Sequence, residues 1–417
     1  MKSEDRDDGT RGTRARSRGG GGASGRERQN VTAVPVRVDV NPELLAWARE
    51  RSGVEPNDLA RRFPRLAEWE EGDLSPTLRQ LERFARATKT PVGYLFLDAP
   101  PEEPLPIPDY RTRRGGQVGR PSPDLLDTIF QSLQRQEWYR DFARSAGQRE
   151  LGFVGSVTTA TPTLEAAAAM RDALDFDTET RGATFTEALR TLIDRAEELG
   201  VLVMVNGVVG NNTHRKLDPD EFQGFTLADP VAPVVFVNGA DTKAAQIFTL
   251  AHELAHVWLG ESALSDAAVV TRVPAGVERW CNAVAAELLV PLASIRQAYD
   301  RNADFGAELT RLARRFKVST LVVLRRLHEA EFLDTPTYYD AFEEELERLR
   351  GLMEERGGPS GGNFYNTQPL RVSRRFARAV IGSTLEGQTL YRDAFQMLGF
   401  KKFETFESLA TRLQRDE

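Results

Sequence analysis

The sequence is poor in cysteine and histidine, and it lacks any long apolar segment. Its 417 residues include one cysteine and four histidines. A single cysteine excludes an intrachain disulfide and is typical of a protein in a reducing compartment. No apolar run reaches the roughly 18 residues that a membrane-spanning helix needs. No apolar segment follows the charged N-terminus, as it would in a secretory signal. We therefore expect a cytoplasmic protein with no membrane partner.

The chain also carries a net negative charge. The formal net charge is −7 and the isoelectric point is about 5.5, so the chain as a whole is not a nucleic-acid polycation. Its length allows two or three domains. Residues 1–35 are rich in glycine, arginine and serine at their start, which predicts a disordered tail. Residues 1–30 hold eight Lys/Arg against five Asp/Glu, so a weak nucleic-acid arm is the alternative interpretation.

The first folded unit is predicted over residues 36–98. Asn41, followed by proline, is typical of a helix start, and apolar residues then recur at helical spacing. Further along, Trp69, Gly72 and Pro76 stand in "LAEWEEGDLSPT". With these residues the segment resembles the helix-turn-helix domain of the XRE-type regulators.

The part of such a domain that reads DNA is reduced in this sequence. Five residues separate Phe63 from Trp69, which is too few for a full turn and a recognition helix. Residues 41–98 carry nine Lys/Arg and ten Asp/Glu, so no excess of basic side chains is available for phosphates. Two interpretations stay open: a helical docking or dimerisation domain, with a homodimer as a possible state, and a DNA-binding domain.

The middle of the chain predicts a linker, helices and a small sheet. Residues 99–120 are proline-rich, which favours an extended, semi-rigid linker. Helical periodicity predicts one long helix over about 123–146 and two more within 163–199. Apolar runs bounded by turn residues predict three buried strands, at 201–206, 221–229 and 232–238. We therefore predict an α+β fold that is predominantly helical.

Two of the four histidines lie in the segment "LAHELAHVW". Positions i and i+4 differ by about 40° around a helix, so His252 and His256 project from one face. Two imidazoles at this spacing can bind one Zn²⁺, with Glu253 next to the open position of the metal. Two core histidines bonded to backbone carbonyls are the alternative interpretation. A metal site therefore needs a third ligand.

A second apolar helix, "GVERWCNAVAAELLVP", offers two glutamates for that role. Glu278 and Glu287 are nine residues apart, about 900° of helical rotation, so they point to opposite faces. Asn282 shares the face of Glu278 and can accept a hydrogen bond from a ligating imidazole. We predict Glu278 as the third ligand, with Glu287 as the alternative. Without a metal, Glu278 would be a solvated side chain on the outer face.

Together, "TLAHELAHVWLG" and "ERWCNAVAAELLVP" closely resemble the ImmA/IrrE family of zinc metallopeptidases. The residues that match the pattern of that family are His252, Glu253, His256, Glu278, Asn282, Leu288, Leu289 and Pro291. Cys281 and Val284 depart from it but keep a small or apolar side chain. The resemblance implies a zincin-like peptidase domain, which we predict over 121–335. An XRE-like domain before such a peptidase is a familiar layout of the family.

The motif and the resemblance predict a zinc-dependent endopeptidase. Three protein ligands leave one position for water, and Glu253 can take the proton of this water as it attacks a peptide carbonyl. The resemblance implies a protein substrate of repressor or antitoxin type. His214 is a candidate for the oxyanion-stabilising group by residue type alone, with a loop histidine of no role as the alternative. The contrasting hypothesis is a non-catalytic DNA- or partner-binding regulator or antitoxin with a structural metal.

Three segments follow the predicted metal site. Residues 306–333 have the pattern of a second helix-turn-helix, which either contacts DNA or supports the zinc site as a two-helix buttress. Residues 336–360 predict a charged, solvent-facing helix, and 361–417 a small unit of two or three helices. In this last unit, five residues are candidates for substrate or partner capture, with packing as the alternative: Phe364, Tyr365, Arg371, Arg374 and Arg375.

Overall fold

A computed structural model describes four parts of the chain, residues 36–110, 120–265, 276–356 and 369–415. Helices dominate these parts, and a small mixed sheet lies among them. This is the α+β class that the sequence predicts. Among the described helices, none is both long enough and apolar enough to cross a membrane. The tail predicted at 1–35 lies outside the described residues.

Five short helical segments form the N-terminal unit. They are α1 (Pro42–Ser52), α2 (Pro56–Arg62), α3 (Leu66–Glu70), α4 (Leu78–Ala87) and a 3₁₀ helix (Val92–Phe96). The side chain of Asn41 accepts a hydrogen bond from Glu43 N and so begins α1. All five segments contribute to one hydrophobic cluster, which includes Trp69 and Phe84. α3 has only five residues, which agrees with the short spacing between Phe63 and Trp69.

Three longer helices precede the sheet, and four strands form it. The helices are α5 (Pro123–Ser145), α6 (Thr163–Leu174) and α7 (Phe185–Leu199). The strands are β1 (Leu202–Asn206), β2 (Gly224–Leu227), β3 (Val234–Asn238) and β4 (Ala263–Ser265). The first three strands lie within the segments that the sequence predicts. β4 was not predicted, because three residues are too few to show a period of two.

The strand order is β1-β3-β2-β4, with β1 parallel to β3 and the other two pairs antiparallel. Side chains alternate between the two faces of the sheet. Val203 and Val235 belong to the hydrophobic cluster on one face, whereas Met204 and Phe236 belong to the cluster on the other. Both faces are therefore buried, which explains why these strands read as continuous apolar runs.

The first face is covered by α8 (Lys243–Leu259), which contacts β2 and β3 and packs against α9 (Val277–Leu289). The side chain of Thr242 accepts a hydrogen bond from Ala245 N at the start of α8, and Gly260 ends the helix at φ 71°. Nearly every side chain of α8 is buried. A helix that is apolar all round needs partners on all sides, and the sheet, α7 and α9 supply them.

Four helices extend the cluster behind α9. They are α10 (Leu292–Ala298), α11 (Phe305–Phe316), α12 (Thr320–Glu329) and α13 (Thr335–Arg356). Leu312 of α11 and Val323 of α12 are fully buried in the same cluster as α8 and α9. Arg326 of α12 is buried in an ion pair with Glu287. This packing favours the buttress interpretation of 306–333. The charged helix α13 is present, but it also buries Phe342 in this cluster.

The C-terminal helices cover the other face of the sheet. They are α14 (Arg374–Leu385), α15 (Tyr391–Leu398) and α16 (Phe403–Arg415). Phe376 and Val380 of α14 share a hydrophobic cluster with the sheet and α5. Arg374 pairs with Asp194 of α7 at 2.7 Å, and Arg375 Nε donates to the hydroxyl of Tyr139 at 2.7 Å. Arg371 Nη1 donates to Asn211 Oδ1 at 3.1 Å, so contacts within the fold account for all three arginines. Phe364 and Tyr365 lie outside the described residues.

Candidate metal centre

α8 places the two histidines on the side that faces α9. His252 and His256 are both fully buried, and their Nε2 atoms are 3.2 Å apart. One turn of helix separates the two residues, which brings their rings side by side as the spacing predicts. Two polar rings therefore lie inside an otherwise apolar layer.

Glu278, in the first turn of α9, meets both rings. Its Oε2 lies 3.2 Å from His252 Nε2, and its Oε1 lies 3.0 Å from His256 Nε2. Among the described residues, one ligand atom from each of these three side chains can be chosen so that all lie within 4.8 Å of one another. Sequence reasoning thus pointed to three side chains that the fold brings together.

The geometry and the donor set fit a zinc ion. Tetrahedral ligands about 2.0–2.1 Å from Zn²⁺ are roughly 3.3 Å from each other, and the three separations here are 3.2, 3.2 and 3.0 Å. Neither Nδ1 atom has a hydrogen-bond partner among the described residues, whereas both Nε2 atoms face Glu278. Two imidazoles and one carboxylate form a zinc ligand set typical of catalytic sites.

Burial and the three mutual contacts determine the charge of the cluster. Burial raises the pKa of Glu278, but the hydrogen bonds and charges of the two histidines lower it more, to about 2. Burial lowers the pKa of His256, and the charge of His252 lowers it further. His252 has a raised pKa, because the contacts with Glu278 outweigh the effect of burial. The carboxylate is therefore ionised, as a metal ligand must be.

Glu253 points from α8 to the sheet. The hydroxyl oxygen of Thr226 lies 2.8 Å from its Oε2 and 2.9 Å from its backbone oxygen. Its Oε1 is buried and has no hydrogen-bond partner among the residues that the structure describes. A Cβ atom at Gly224 would lie 3.0 Å from that oxygen, so glycine leaves room for it. Burial raises the pKa of Glu253 to about 8, which is typical of a carboxyl group that exchanges protons near neutral pH.

Ser265, the last residue of β4, adds a hydroxyl group to the site. Its Oγ lies 3.4 Å from His256 Nε2 and 3.5 Å from Glu278 Oε1. The hydroxyl group of Ser265 also lowers the pKa of Glu253. This hydroxyl group is therefore in reach of two candidate ligands and of the free carboxyl group.

The other candidates have different surroundings. Asn282 is buried beside His252 and raises the pKa of that ring, although Asn282 Oδ1 makes no well-aligned hydrogen bond. Glu287 forms a buried ion pair with Arg326 and is not part of the three-residue cluster. His214 is exposed in a turn, where its backbone N donates to the side chain of Asn212.

Sequence reasoning missed four residues of this region. Thr226 carries a detectable signal, since it is a hydroxyl-bearing residue inside an apolar strand. Gly224 carries a weaker one, as an isolated glycine in a strand suggests a close approach. The ring of Tyr110 stacks on His256. Neither Tyr110 nor Ser265 carries a signal in the sequence, because their roles depend on strand pairing.

Comparison with known proteins gives two matched segments. Residues 196–328 match the IrrE N-terminal-like domain family, and 372–412 match a domain of unknown function, DUF8813. The first segment contains the three candidate ligands and Glu253. Both segments lie outside residues 36–98.

Two similar proteins are each named radiation response metalloprotease IrrE. The one from Deinococcus radiodurans is 36% identical over 106 residues, which are 24% of this chain and 32% of that protein. The one from Deinococcus deserti is 33% identical over 139 residues, which are 30% of this chain and 49% of that protein. The chain thus spans about a third to a half of the length of these relatives. The segment that carries the site is therefore similar to the IrrE N-terminal-like domain and to the two relatives.

Proposed function

We propose that this protein is a zinc-dependent endopeptidase that cleaves a cytosolic regulatory protein of repressor or antitoxin type. The catalytic domain comprises residues 121–335 and has a zincin-like core. His252, His256 and Glu278 hold the metal, and Glu253 is the general base. The similarity of residues 196–328 to the IrrE N-terminal-like domain supports this assignment.

The proposed ligands leave a fourth coordination position free. When bound, Zn²⁺ polarises a peptide carbonyl and lowers the pKa of a coordinated water molecule. His252 and His256 offer their Nε2 atoms, and Glu278 offers a carboxylate that is already ionised. A structural zinc site is usually closed by four protein ligands. The cluster of three, with a separate carboxyl group beside it, is the observation that carries the proposal.

Glu253 moves the proton in this scheme. Its Oε2 is held by Thr226, so the unpartnered Oε1 is the atom that accepts a proton from the attacking water. Glu253 then donates that proton to the leaving amine nitrogen as the peptide bond breaks. Surrounding apolar side chains exclude bulk water from the carboxyl group, which brings its pKa close to neutrality.

The substrate class is inferred from the setting of the site and from its relatives. The two relatives are named as metalloproteases of a radiation response, which is a regulatory context. The centre supplies only general hydrolysis, so contacts outside it select the target. An endopeptidase cleft takes an extended segment, and we expect cleavage in an exposed loop or linker of the target. The unit at 36–98 serves in docking, with DNA binding and homodimer formation as its alternatives.

The test compares cell proteins after exposure to the full-length parent protein and to Glu253→Gln. Glutamine keeps the size of the side chain and a hydrogen-bonding group for Thr226, but it cannot accept the proton. Mass spectrometry of newly formed N-termini should reveal one or a few cleavage sites with the parent and none with the variant. Glu55→Gln, a change at an exposed residue before α2, is the matched control. Equal cleavage by parent and Glu253→Gln would refute the assigned base, and no cleavage by either would favour the non-catalytic regulator.

A further inference from the structure

Residues 108–110, which precede α5 in the chain, lie along the outer edge of the sheet. Leu264 N donates to Pro108 O, and Tyr110 N donates to Leu264 O, both at 2.9 Å. Asp109 lies opposite Leu264 in parallel pairing. Ile107 is buried in the same hydrophobic cluster as Leu264. Within the predicted linker, residues 108–110 thus form a short linker strand beside β4.

This pairing brings Tyr110 next to Ser265. Residues that are neighbours across two strands share a face of the sheet, and Ser265 is on the face that contacts His256. The ring of Tyr110 stacks on the imidazole of His256, with ring centroids 6.4 Å apart and planes 10° apart. Burial, and then the charges of Glu261 and Glu278, raise the pKa of Tyr110. The phenol is therefore in electrostatic range of the candidate ligand Glu278.

We propose that Tyr110 is a positioning residue of the metal centre, supplied by the linker strand from outside residues 196–328. This inference rests on the proposed function. A ligating imidazole is usually oriented by a hydrogen bond to its second nitrogen, but within the described parts of the chain Nδ1 of His256 has no such partner. The stacked ring of Tyr110 restricts rotation of the imidazole instead, and it keeps Nε2 directed toward Glu278.

One ion pair joins the N-terminal unit to the linker, and a second joins that unit to α5. Arg51 of α1 donates from Nη2 to Oε1 of Glu103 at 2.7 Å. Lys89 pairs with Asp124, at the start of α5, at 2.6 Å. The N-terminal unit is thus attached both to the linker and to the helix that follows it. The positions of the side chains in the metal centre consequently depend on residues that precede 196–328.

The test measures zinc affinity of the full-length protein by competition with a chromogenic chelator, and the visible spectrum of its Co²⁺ form. Tyr110→Leu removes the ring, and we expect the zinc dissociation constant to rise about tenfold and the cobalt bands to shift. Tyr110→Phe keeps the ring and should match the parent in both. Tyr94→Leu is the matched control, since Tyr94 is also half-buried but packs on Trp47 in the N-terminal unit. It should match the parent as well.

Far-ultraviolet circular dichroism verifies the fold of each variant. Should Tyr110→Leu fail to fold, Tyr110→Met replaces it, because methionine keeps an unbranched apolar side chain of similar length. Parent-like affinity and spectrum in the folded ring-less variant would overturn the proposal. A loss in Tyr110→Phe as large as in Tyr110→Leu would also overturn it, since the hydroxyl group would then carry the effect. A parent protein that binds no zinc would instead refute the proposed function itself.

Discussion

The hydroxyl oxygen of Thr226, near the end of β2, lies 2.8 Å from Oε2 of Glu253. This contact connects the sheet to the side chain between the two histidines. It leaves Oε1 of Glu253 as the unpartnered oxygen. A sheet residue thus determines which of the two carboxyl oxygens is available to accept a proton.

Thr226→Val should reduce kcat of proteolysis by about 10- to 100-fold, because a misplaced general base loses most of its effectiveness. Zinc content should not change, since Thr226 touches none of the three proposed ligands. Cleavage rate and bound zinc are measured on the same preparation. Thr128→Val is the matched control, as the hydroxyl of Thr128 is buried within α5 and donates to Asp124 O. A parent-like kcat in Thr226→Val would show that the contact does not orient the base.

Glu278→Ala should lower zinc affinity, whereas Glu287→Ala should lower stability. Removal of Glu278 takes away a proposed ligand, so zinc affinity should fall by at least tenfold. Removal of Glu287 breaks its buried ion pair with Arg326, which keeps a second ion pair with Glu329, so we expect a loss of about 1–3 kcal/mol in the free energy of unfolding. Zinc titration and denaturant unfolding separate the two effects. The opposite pattern would identify Glu287 as the ligand.

Gly224→Ala should damage both stability and activity. The added Cβ would lie 2.6 Å from Thr249 Cγ2, 2.9 Å from Phe236 O and 3.0 Å from Glu253 Oε1. Overpacking of this kind costs about 1–3 kcal/mol, and displacement of Glu253 should lower kcat in addition. Gly382→Ala is the control, because a Cβ there meets nothing within 4 Å and lies in a helix. If Gly224→Ala is as stable and active as Gly382→Ala, the close approach of β2 to α8 is wrong.

Glu197 should make stability depend on pH. This residue of α7 receives hydrogen bonds from Ser373 Oγ and Arg374 N, and burial raises its pKa from 4.5 to about 7. Between pH 4.5 and about 7 the folded protein binds more protons than the unfolded chain. The contribution of Glu197 to the free energy of unfolding therefore falls as pH rises. The contribution present at pH 4.5 should decrease by up to about 3 kcal/mol by pH 7.5.

Glu197→Gln serves as the comparison, since glutamine does not titrate. Urea unfolding at several pH values between 4.5 and 7.5 should show a steeper decline for the parent than for this variant. Parallel curves would mean that Glu197 does not change its protonation on unfolding in this range.

Helical periodicity sufficed to predict the core of the candidate site. One turn relates His252 to His256, and another relates Glu278 to Asn282, so their shared faces follow from spacing alone. Rotation about the helix axis separated Glu278 from Glu287, and Asn282 on the face of Glu278 decided between them. Spacing alone does not show which distant residues each helix face contacts. The ion pair of Glu287 with Arg326 joins residues 39 positions apart.

Contacts between strands could not be predicted from the sequence for a related reason. β4 has three residues, and its neighbours are β2 on one side and the linker strand on the other. Only that pairing brings Ser265 and Tyr110 to His256. A strand this short has no periodic pattern to detect, and its register depends on hydrogen bonds to distant segments.

The central claim is that His252, His256 and Glu278 bind a metal that Glu253 does not help to hold. The most direct measurement is the zinc content per chain of the folded, full-length protein after zinc addition and removal of excess metal. We expect about one zinc per chain in the parent and in Glu253→Gln, and much less in His252→Ala. A correctly folded parent protein that retains no zinc would contradict the account.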